Sequence, residues 1–387
     1  MAAAARAATP TPVEPVPSYR RLDATLDFDP AHLWLRPMAL LSGRAASTAL
    51  AENRGLALAG TGDAFSLLEL LGRRASGEIV AALGGVAELR LWAEERDRAT
   101  VERIEQQLAR LAAPRAPWAG LALDRPLIMG IVNATPDSFS DGGDFLAPER
   151  AIAHGRALAA AGADILDIGG ESMRPGATPV APAEEVRRVE PVVRALAGAG
   201  HLVSIDTRHA QTMATAVAAG ARIINDVSAL TTDADSLAVA ARSGAAIVLM
   251  HMQGEPRTMQ DNPSYRLASL DIVEYLKLRI EVCAAAGIER ARIVVDPGIG
   301  FGKHTEHNLE IMARLGLLHA LGCGVLLGLS RKSLLAALHH AEPKERIPGS
   351  LAGALQALAQ GVQILRVHDV AETKQAIATW RAVAGGA

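Results

Sequence analysis

The sequence predicts an α/β protein: a closed TIM (β/α)8 barrel preceded by a small α+β region. Three observations predict it. From Leu127 onward, short buried runs alternate with amphipathic helical patterns, giving about eight βα units over roughly 260 residues. Nearly every buried run ends in polar residues, the place where such a barrel carries its chemistry. The composition is 50% hydrophobic with only 3% aromatic residues and abundant alanine, which suits helices packed on small-residue strands. An open doubly wound sheet is the rival. The count of units, and the lack of a dinucleotide-type glycine turn after the first run, favour the barrel.

Residues 1–18 are alanine, proline and threonine without an apolar signal segment, and read as a disordered tail. Residues 19–113 read as a separate small α+β unit. Leu33–Leu40 is a strand or a lead-in segment, Ala64–Gly72 has helical spacing, and Ala87–Trp92 alternates like a strand. Ala99–Ala112, with apolar Val101, Ile104, Leu108 and Leu111, is an amphipathic helix. Residues 114–125, with Pro114 and Pro117, read as a linker, and 126–387 as the barrel.

The barrel strands are expected at Leu127–Val132, Ile165–Ile168, Leu202–Ile205, Ile223–Asn225, Ala246–Met250, Arg292–Val295, Val325–Leu327 and Gln363–Val367. The intervening helices are Ala151–Ala161, Ala183–Ala197, Ala210–Ala219, Leu237–Ser243, Leu270–Ala286, Asn308–Leu321, Leu351–Gln360 and Ala371–Val383. Small-residue stops such as Ala161-Gly162-Ala163 and Ala219-Gly220-Ala221 end helices before strands.

The strand ends deliver a chemical inventory. Asn133 ends the first, Asp167 the second, Asp206-Thr-Arg208 the third and Asn225-Asp226 the fourth. His251 follows the fifth, Asp296-Pro-Gly-Ile-Gly-Phe-Gly-Lys303 the sixth, Ser330-Arg-Lys-Ser333 the seventh, and Arg366-Val-His-Asp369 closes the eighth. Asp206, Asn225, Asp296 and Lys332 suit a planar heterocycle with a 2-amino-4-oxo edge: carboxylates accept its N–H groups, the amide gives and takes, and the lysine reaches carbonyl and ring nitrogen. Met250 and Met252 are candidate soft walls. Arg174, Arg366 and His368 suit phosphate oxygens. Asn133 offers a neutral oxygen to Mg2+, which keeps most of its waters and bridges substrate phosphates. Glu184-Glu185-Val-Arg-Arg188 reads as a solvated helix face, and His304 and His307 as capping or solvated residues.

Two long segments resemble the signature loops of the dihydropteroate synthase family: Gly130-Ile-Val-Asn-Ala-Thr-Pro-Asp-Ser-Phe-Ser-Asp-Gly-Gly143 and Asp167-Ile-Gly-Gly-Glu-Ser-Met-Arg-Pro-Gly-Ala177. Ser204-Ile-Asp-Thr207, Asn225-Asp226, Asp296-Pro-Gly298, Ser330-Arg-Lys-Ser333 and Arg366-Val-His-Asp369 match in order. The resemblance covers the barrel and not the first hundred or so residues. It implies a homodimeric, cytoplasmic transferase of folate biosynthesis that joins 4-aminobenzoate to 6-hydroxymethyl-7,8-dihydropterin diphosphate. It implies that Asp206, Asn225, Asp296 and Lys332 hold the pterin, that Asn133 binds Mg2+, and that Arg366 and His368 hold the diphosphate. Arg174, Pro175, Phe301 and Ser333 would shape the aminobenzoate site, with Lys332, Arg366, His368 and Arg174 as the catalytic set. The loops Thr135–Phe145 and Ser172–Thr178 would be a lid, and sulfonamides the expected inhibitors. Met173 departs from the family's usual threonine, and Ala134 from its usual valine.

Two alternatives use the same scaffold: a pterin-dependent methyltransferase, which has no need of the Arg366/His368 pair, and a non-catalytic pterin-binding relative. The formal net charge of −3 with interspersed signs gives no nucleic-acid footprint, and no apolar run is long enough to span a bilayer. The two cysteines, Cys283 and Cys323, fit a reducing compartment and read as small buried hydrophobes.

Overall fold

The computed structural model describes residues 17–74, 76–135, 147–172, 178–339 and 342–385. Most of the 1–18 tail, most of the Thr135–Phe145 loop, and Met173, Arg174 and Pro175 of the second loop lie outside the described residues.

The barrel closes from eight parallel strands: β7 (Leu127–Asn133), β8 (Ile165–Gly169), β9 (Val203–Asp206), β10 (Ile223–Asp226), β11 (Ala246–Met250), β12 (Ile293–Asp296), β13 (Gly324–Leu327) and β14 (Ile364–Val367). Around it lie α4 (Ala147–Ala161), α5 (Pro182–Gly198), α6 (Ala210–Ala218), α7 (Ser236–Ser243), α8 (Ala268–Ala285), α9 (Thr305–Ala313), α10 (Ser333–His339), α11 (Ile347–Leu358) and α12 (Val370–Val383). Each expected strand, and each expected helix but one, is present within a few residues of its expected span, and α10 is additional. The helix expected at Asn308–Leu321 is broken into α9 and a 3-10 segment, Leu315–Leu321. At the break, Arg36 Nη1 donates to Ala313 O at 3.1 Å, satisfying a carbonyl at the end of α9.

Strand alternation divides the barrel interior into a floor and a mouth. Leu127, Met129, Ile165, Ile223, Val248, Val294, Leu326 and Ile364 form the apolar floor. The inward positions two residues further along are Asp167, Asn225, Asp296 and Arg366. The stretch expected as a linker is partly core. Trp118 is 1% exposed, packs on the floor cluster, and donates from Nε1 to Arg292 O at 3.0 Å, so residues 118–123 plug the N-terminal end of the barrel.

The N-terminal unit has a four-stranded sheet in the order β1 (Ser18–Arg20), β6 (Ile79–Gly85), β5 (Leu67–Arg73), β2 (Leu33–Met38). A hairpin, β3 (Leu56–Ala57) and β4 (Ala64–Phe65), and helices α1 (Gly43–Ala51), α2 (Val86–Glu94) and α3 (Arg98–Ala112) complete it. Two expectations are corrected: Ala64–Gly72 is strand, not helix, and Ala87–Trp92 is helix, not strand. The unit docks on the barrel through buried charge: Glu69 lies 2.5 Å from Arg36 Nε and 3.7 Å from Arg314 Nε.

Candidate active site

Asp167 and Arg366, inward-facing on β8 and β14, meet at the centre of the mouth. Arg366 Nε donates to Asp167 Oδ2 and Nη2 to Asp206 Oδ2, both at 2.6 Å. Asn225 Nδ2 donates to the same Asp167 oxygen at 3.0 Å. The remaining oxygens, Asp167 Oδ1 and Asp206 Oδ1, are buried with no hydrogen-bond partner among the described residues. One guanidinium therefore serves two carboxylates, and burial outweighs it, pushing Asp206 up to about 7 with Asp167 adding to the rise. Asp226 is different. It accepts from Ser228 N and Oγ at 2.7 Å and from Leu230 N at 3.0 Å, so it holds its own turn.

The loop after β12 builds one wall. Asp296 Oδ1 accepts from Gly298 N at 2.7 Å, and burial raises the Asp296 carboxyl. Gly298 has φ +69°, and a Cβ there would lie 2.0 Å from His251 O; only glycine lets the loop press against the β11 end. The buried Lys303 Nζ ties the loop down, donating to Gly298 O at 2.9 Å, Phe301 O at 2.8 Å and His251 O at 3.1 Å. Phe301 is thereby fixed with Lys332 Nζ 4.6 Å from its ring centroid. Lys332 Nζ also donates to Ile299 O, and desolvation pushes its pKa down to about 8. Lys332 follows Arg331, a non-glycine residue at φ +59°, whose Nε donates to Asp369 Oδ2 at 3.0 Å. In the same loop as Lys332, Ser330 Oγ accepts from His368 N at 3.1 Å and lies 3.1 Å from its Nδ1.

The chain matches the model of the pterin binding enzyme family over residues 129–368. It is 49% identical over 269 residues to the dihydropteroate synthase of Neisseria meningitidis serogroup B, covering 68% of this chain and 94% of that one. The chain belongs to the dihydropteroate synthases. The Escherichia coli K12 enzyme is 43% identical over 263 residues, covering 68% of this chain and 93% of its own length. Among solved structures, the Xanthomonas albilineans dihydropteroate synthase with 4-aminobenzoic acid has a TM-score of 0.65 at 48% identity, covering 68% of this chain and 96% of its own. The Yersinia pestis dihydropteroate synthase with a sulfonamide drug has the same TM-score at 45% identity, with the same two coverages.

For a dihydropteroate synthase the arrangement is direct. The structure brings together Asp206, Asn225, Asp296, Lys332, Arg366 and Phe301 around the mouth, with His368 just past β14, Asn133 as the last residue of β7 and Ser333 as the first of α10. Asp206 and Arg366, assigned from sequence to different substrate moieties, are partners of each other. Three residues were missed as site members. Asp167 had a signal, an acid inside the apolar run Ile165–Ile168. Lys303 was noted only as the end of a loop. Glu185, expected on a solvated face, is fully buried beneath the third strand's loop.

Proposed function

We propose that this chain condenses 4-aminobenzoate with 6-hydroxymethyl-7,8-dihydropterin diphosphate, releasing diphosphate and forming 7,8-dihydropteroate, with the barrel of residues 126–387 doing the chemistry and residues 19–113 a separate appended unit. The observation that carries the reading is the buried acceptor set around one guanidinium. Asp206 Oδ1 and Asp167 Oδ1 lack partners among the described residues, and a pterin edge supplies N–H donors to such oxygens. Asp206, Asn225 and Asp296 fix the pterin's hydrogen-bonding edge. Lys332, as a cation on the Phe301 face, reaches its carbonyl and ring nitrogen.

Arg366 has five N–H donors, of which Asp167 and Asp206 take two, leaving others for diphosphate oxygens. His368 joins it there. The C–O bond to diphosphate breaks first, and the charge that develops on the leaving group is met by Arg366 and His368. The pterin cation left behind sits among Asp167, Asp206 and Asp296. The arylamine nitrogen then attacks the methylene carbon, the new C–N bond replacing the C–O bond to diphosphate, and its surplus proton passes to solvent. It is nucleophilic unaided, so the protein supplies orientation and charge, not a strong base. Phe301 and Ser333, with Arg174 and Pro175, receive the aminobenzoate.

Asn133 fits a Mg2+ held mainly by substrate: it is a neutral oxygen donor at the end of β7, the strand paired with the one that carries Asp167. When bound, Mg2+ neutralises diphosphate charge. A cytoplasmic homodimer belongs to the same proposal; the two buried free cysteines suit a reducing compartment, and no helix of the described residues is long and apolar enough to cross a membrane.

The test is diphosphate release from the dihydropterin diphosphate with Mg2+, with and without 4-aminobenzoate. Release that requires aminobenzoate and collapses in Lys332→Ala supports the reading. Pterin binding without turnover overturns it in favour of a non-catalytic binder.

A further inference from the structure

Glu185 sits in the first turn of α5, fully buried. Its Oε2 accepts from Thr207 Oγ1 at 2.9 Å and Thr212 Oγ1 at 2.6 Å, and lies 2.9 Å from His209 Nδ1. Thr207 is the residue after Asp206, and its N–H donates to Asn225 O at 3.1 Å. One carboxylate on an outer helix thus holds the joint between the two strands that carry Asp206 and Asn225. The neighbouring residue extends the network. Arg208 binds both oxygens of Glu171, Nε to Oε2 at 3.1 Å and Nη2 to Oε1 at 3.0 Å. Glu171 Oε1 also accepts from Val180 N at 3.1 Å, closing the base of the second signature loop.

The ligand atoms of Glu171, Glu185 and His209 lie within 4.8 Å of one another, a spacing that would also suit a cation. The donors argue against that use. Arg208 takes both Glu171 oxygens, and its guanidinium would lie against a bound cation. Two threonine hydroxyls already point at Glu185 Oε2. The cluster is instead charge-balanced within itself, two carboxylates against Arg208 and His209. Packing is close as well: a Cβ at Gly170 would meet Glu185 Cγ at 3.0 Å and Val189 Cγ1 at 2.7 Å, so α5 rests directly on the root of the second loop. A fully buried carboxylate with one oxygen, Oε1, lacking a partner among the described residues is a weak device for stability alone.

We propose that Glu185 is a positioning residue for the pterin site: through Thr207 it fixes Asp206 relative to Asn225, and so sets affinity for the dihydropterin and not for aminobenzoate. The inference rests on the assignment of Asp206 and Asn225 to the pterin. It is tested with Glu185→Gln, Glu185→Ala, Thr207→Val and the double variant Glu185→Ala/Thr207→Val in the full chain. The measurements are Kd for 6-hydroxymethylpterin, both KM values, kcat and thermal unfolding. The expected result is a pterin Kd raised about tenfold by Glu185→Ala or Thr207→Val, with the double variant no worse than the weaker-binding single, because both remove one coupled contact. KM for aminobenzoate stays within about twofold. If Glu185→Ala does not fold, Glu185→Gln and Thr207→Val carry the same comparison. Folded variants with unchanged pterin Kd, independent additive effects, or both KM values rising together overturn the inference. Asp206→Asn separates the two layers. If it leaves pterin affinity intact, the pterin assignment itself fails; if it weakens pterin while Thr207→Val does not, only the positioning role fails.

Discussion

Two buried charge clusters in this chain are inverses of each other. At the barrel mouth one guanidinium, Arg366, stands between two carboxylates, Asp167 and Asp206. At the seam between the N-terminal unit and the barrel, one carboxylate, Glu69, stands between two guanidinia, Arg36 and Arg314. In the seam cluster both carboxylate oxygens are matched. Glu69 is 0% exposed and also accepts from Tyr19, while Arg36 and Arg314 bond outward to Ala313 O and Glu310. The mouth cluster leaves two carboxylate oxygens without partners among the described residues. The difference teaches that burial and charge alone do not separate a ligand site from a structural ion pair; the two clusters differ in whether the carboxylate oxygens are matched.

The comparison is broken most severely by removing each central residue. Arg366→Ala takes away the group proposed to face the diphosphate, and kcat/KM for diphosphate release is expected to fall by about 10³-fold. Glu69→Ala should leave kcat and both KM values within about twofold, yet lose about 3–5 kcal/mol of stability, because Arg36 and Arg314 lose the buried carboxylate that stands between them. Denaturant unfolding beside steady-state kinetics reads both. Loss of activity in folded Glu69→Ala would mean the N-terminal unit reaches the site. A smaller change probes the barrel floor. Trp118→Phe deletes the bond from Nε1 to Arg292 O and should cost about 1 kcal/mol with unaltered kinetics.

The same two regions differ in how well they could be read from sequence. Barrel strands are buried on both faces, so each is a short apolar run with a polar end, and helices between them keep their stripe; period and boundary agree. In the N-terminal unit they conflict. Leu68 to Leu71 in β5 is buried throughout, so it lost the alternation of a half-exposed strand and matched helical spacing. Ala87–Trp92 alternated because Leu91, 61% exposed, fell between the buried Leu89 and Trp92; the true face is Leu89, Trp92 and Ala93. In the site, residues at strand ends were legible because topology alone puts them at the mouth. Glu185 was not, since its burial depends on α5 meeting the loop after β9, a contact between residues about 20 apart that no local pattern announces.

The mouth's unmatched charge also predicts a pH response. Burial holds Asp206 up to about 7 from an ordinary 3.8, and holds Lys332 down to about 8 from 10.5. Both are charged together only in the window between. If the pterin needs the carboxylate and the cation, kcat/KM rises as pH climbs through about 7 and falls as it passes about 8. Stability runs the other way. Between 3.8 and about 7 the native state holds a proton on Asp206 that the unfolded chain has lost, so stability falls as pH rises across that span. Between about 8 and 10.5 the unfolded chain holds the lysine proton that the native state has lost, so stability rises with pH there. The contribution of these two groups is therefore least favourable where activity is greatest, the expected signature of a site that keeps buried charge for its ligand. Asp206→Asn should flatten the acid side of the unfolding profile, and Lys332→Met the alkaline side. Glu69→Ala should shift the whole profile down without changing its shape. A Glu69→Ala profile that changed shape over the same window would show that the seam, too, carries frustrated charge, and the contrast between the two clusters would fail.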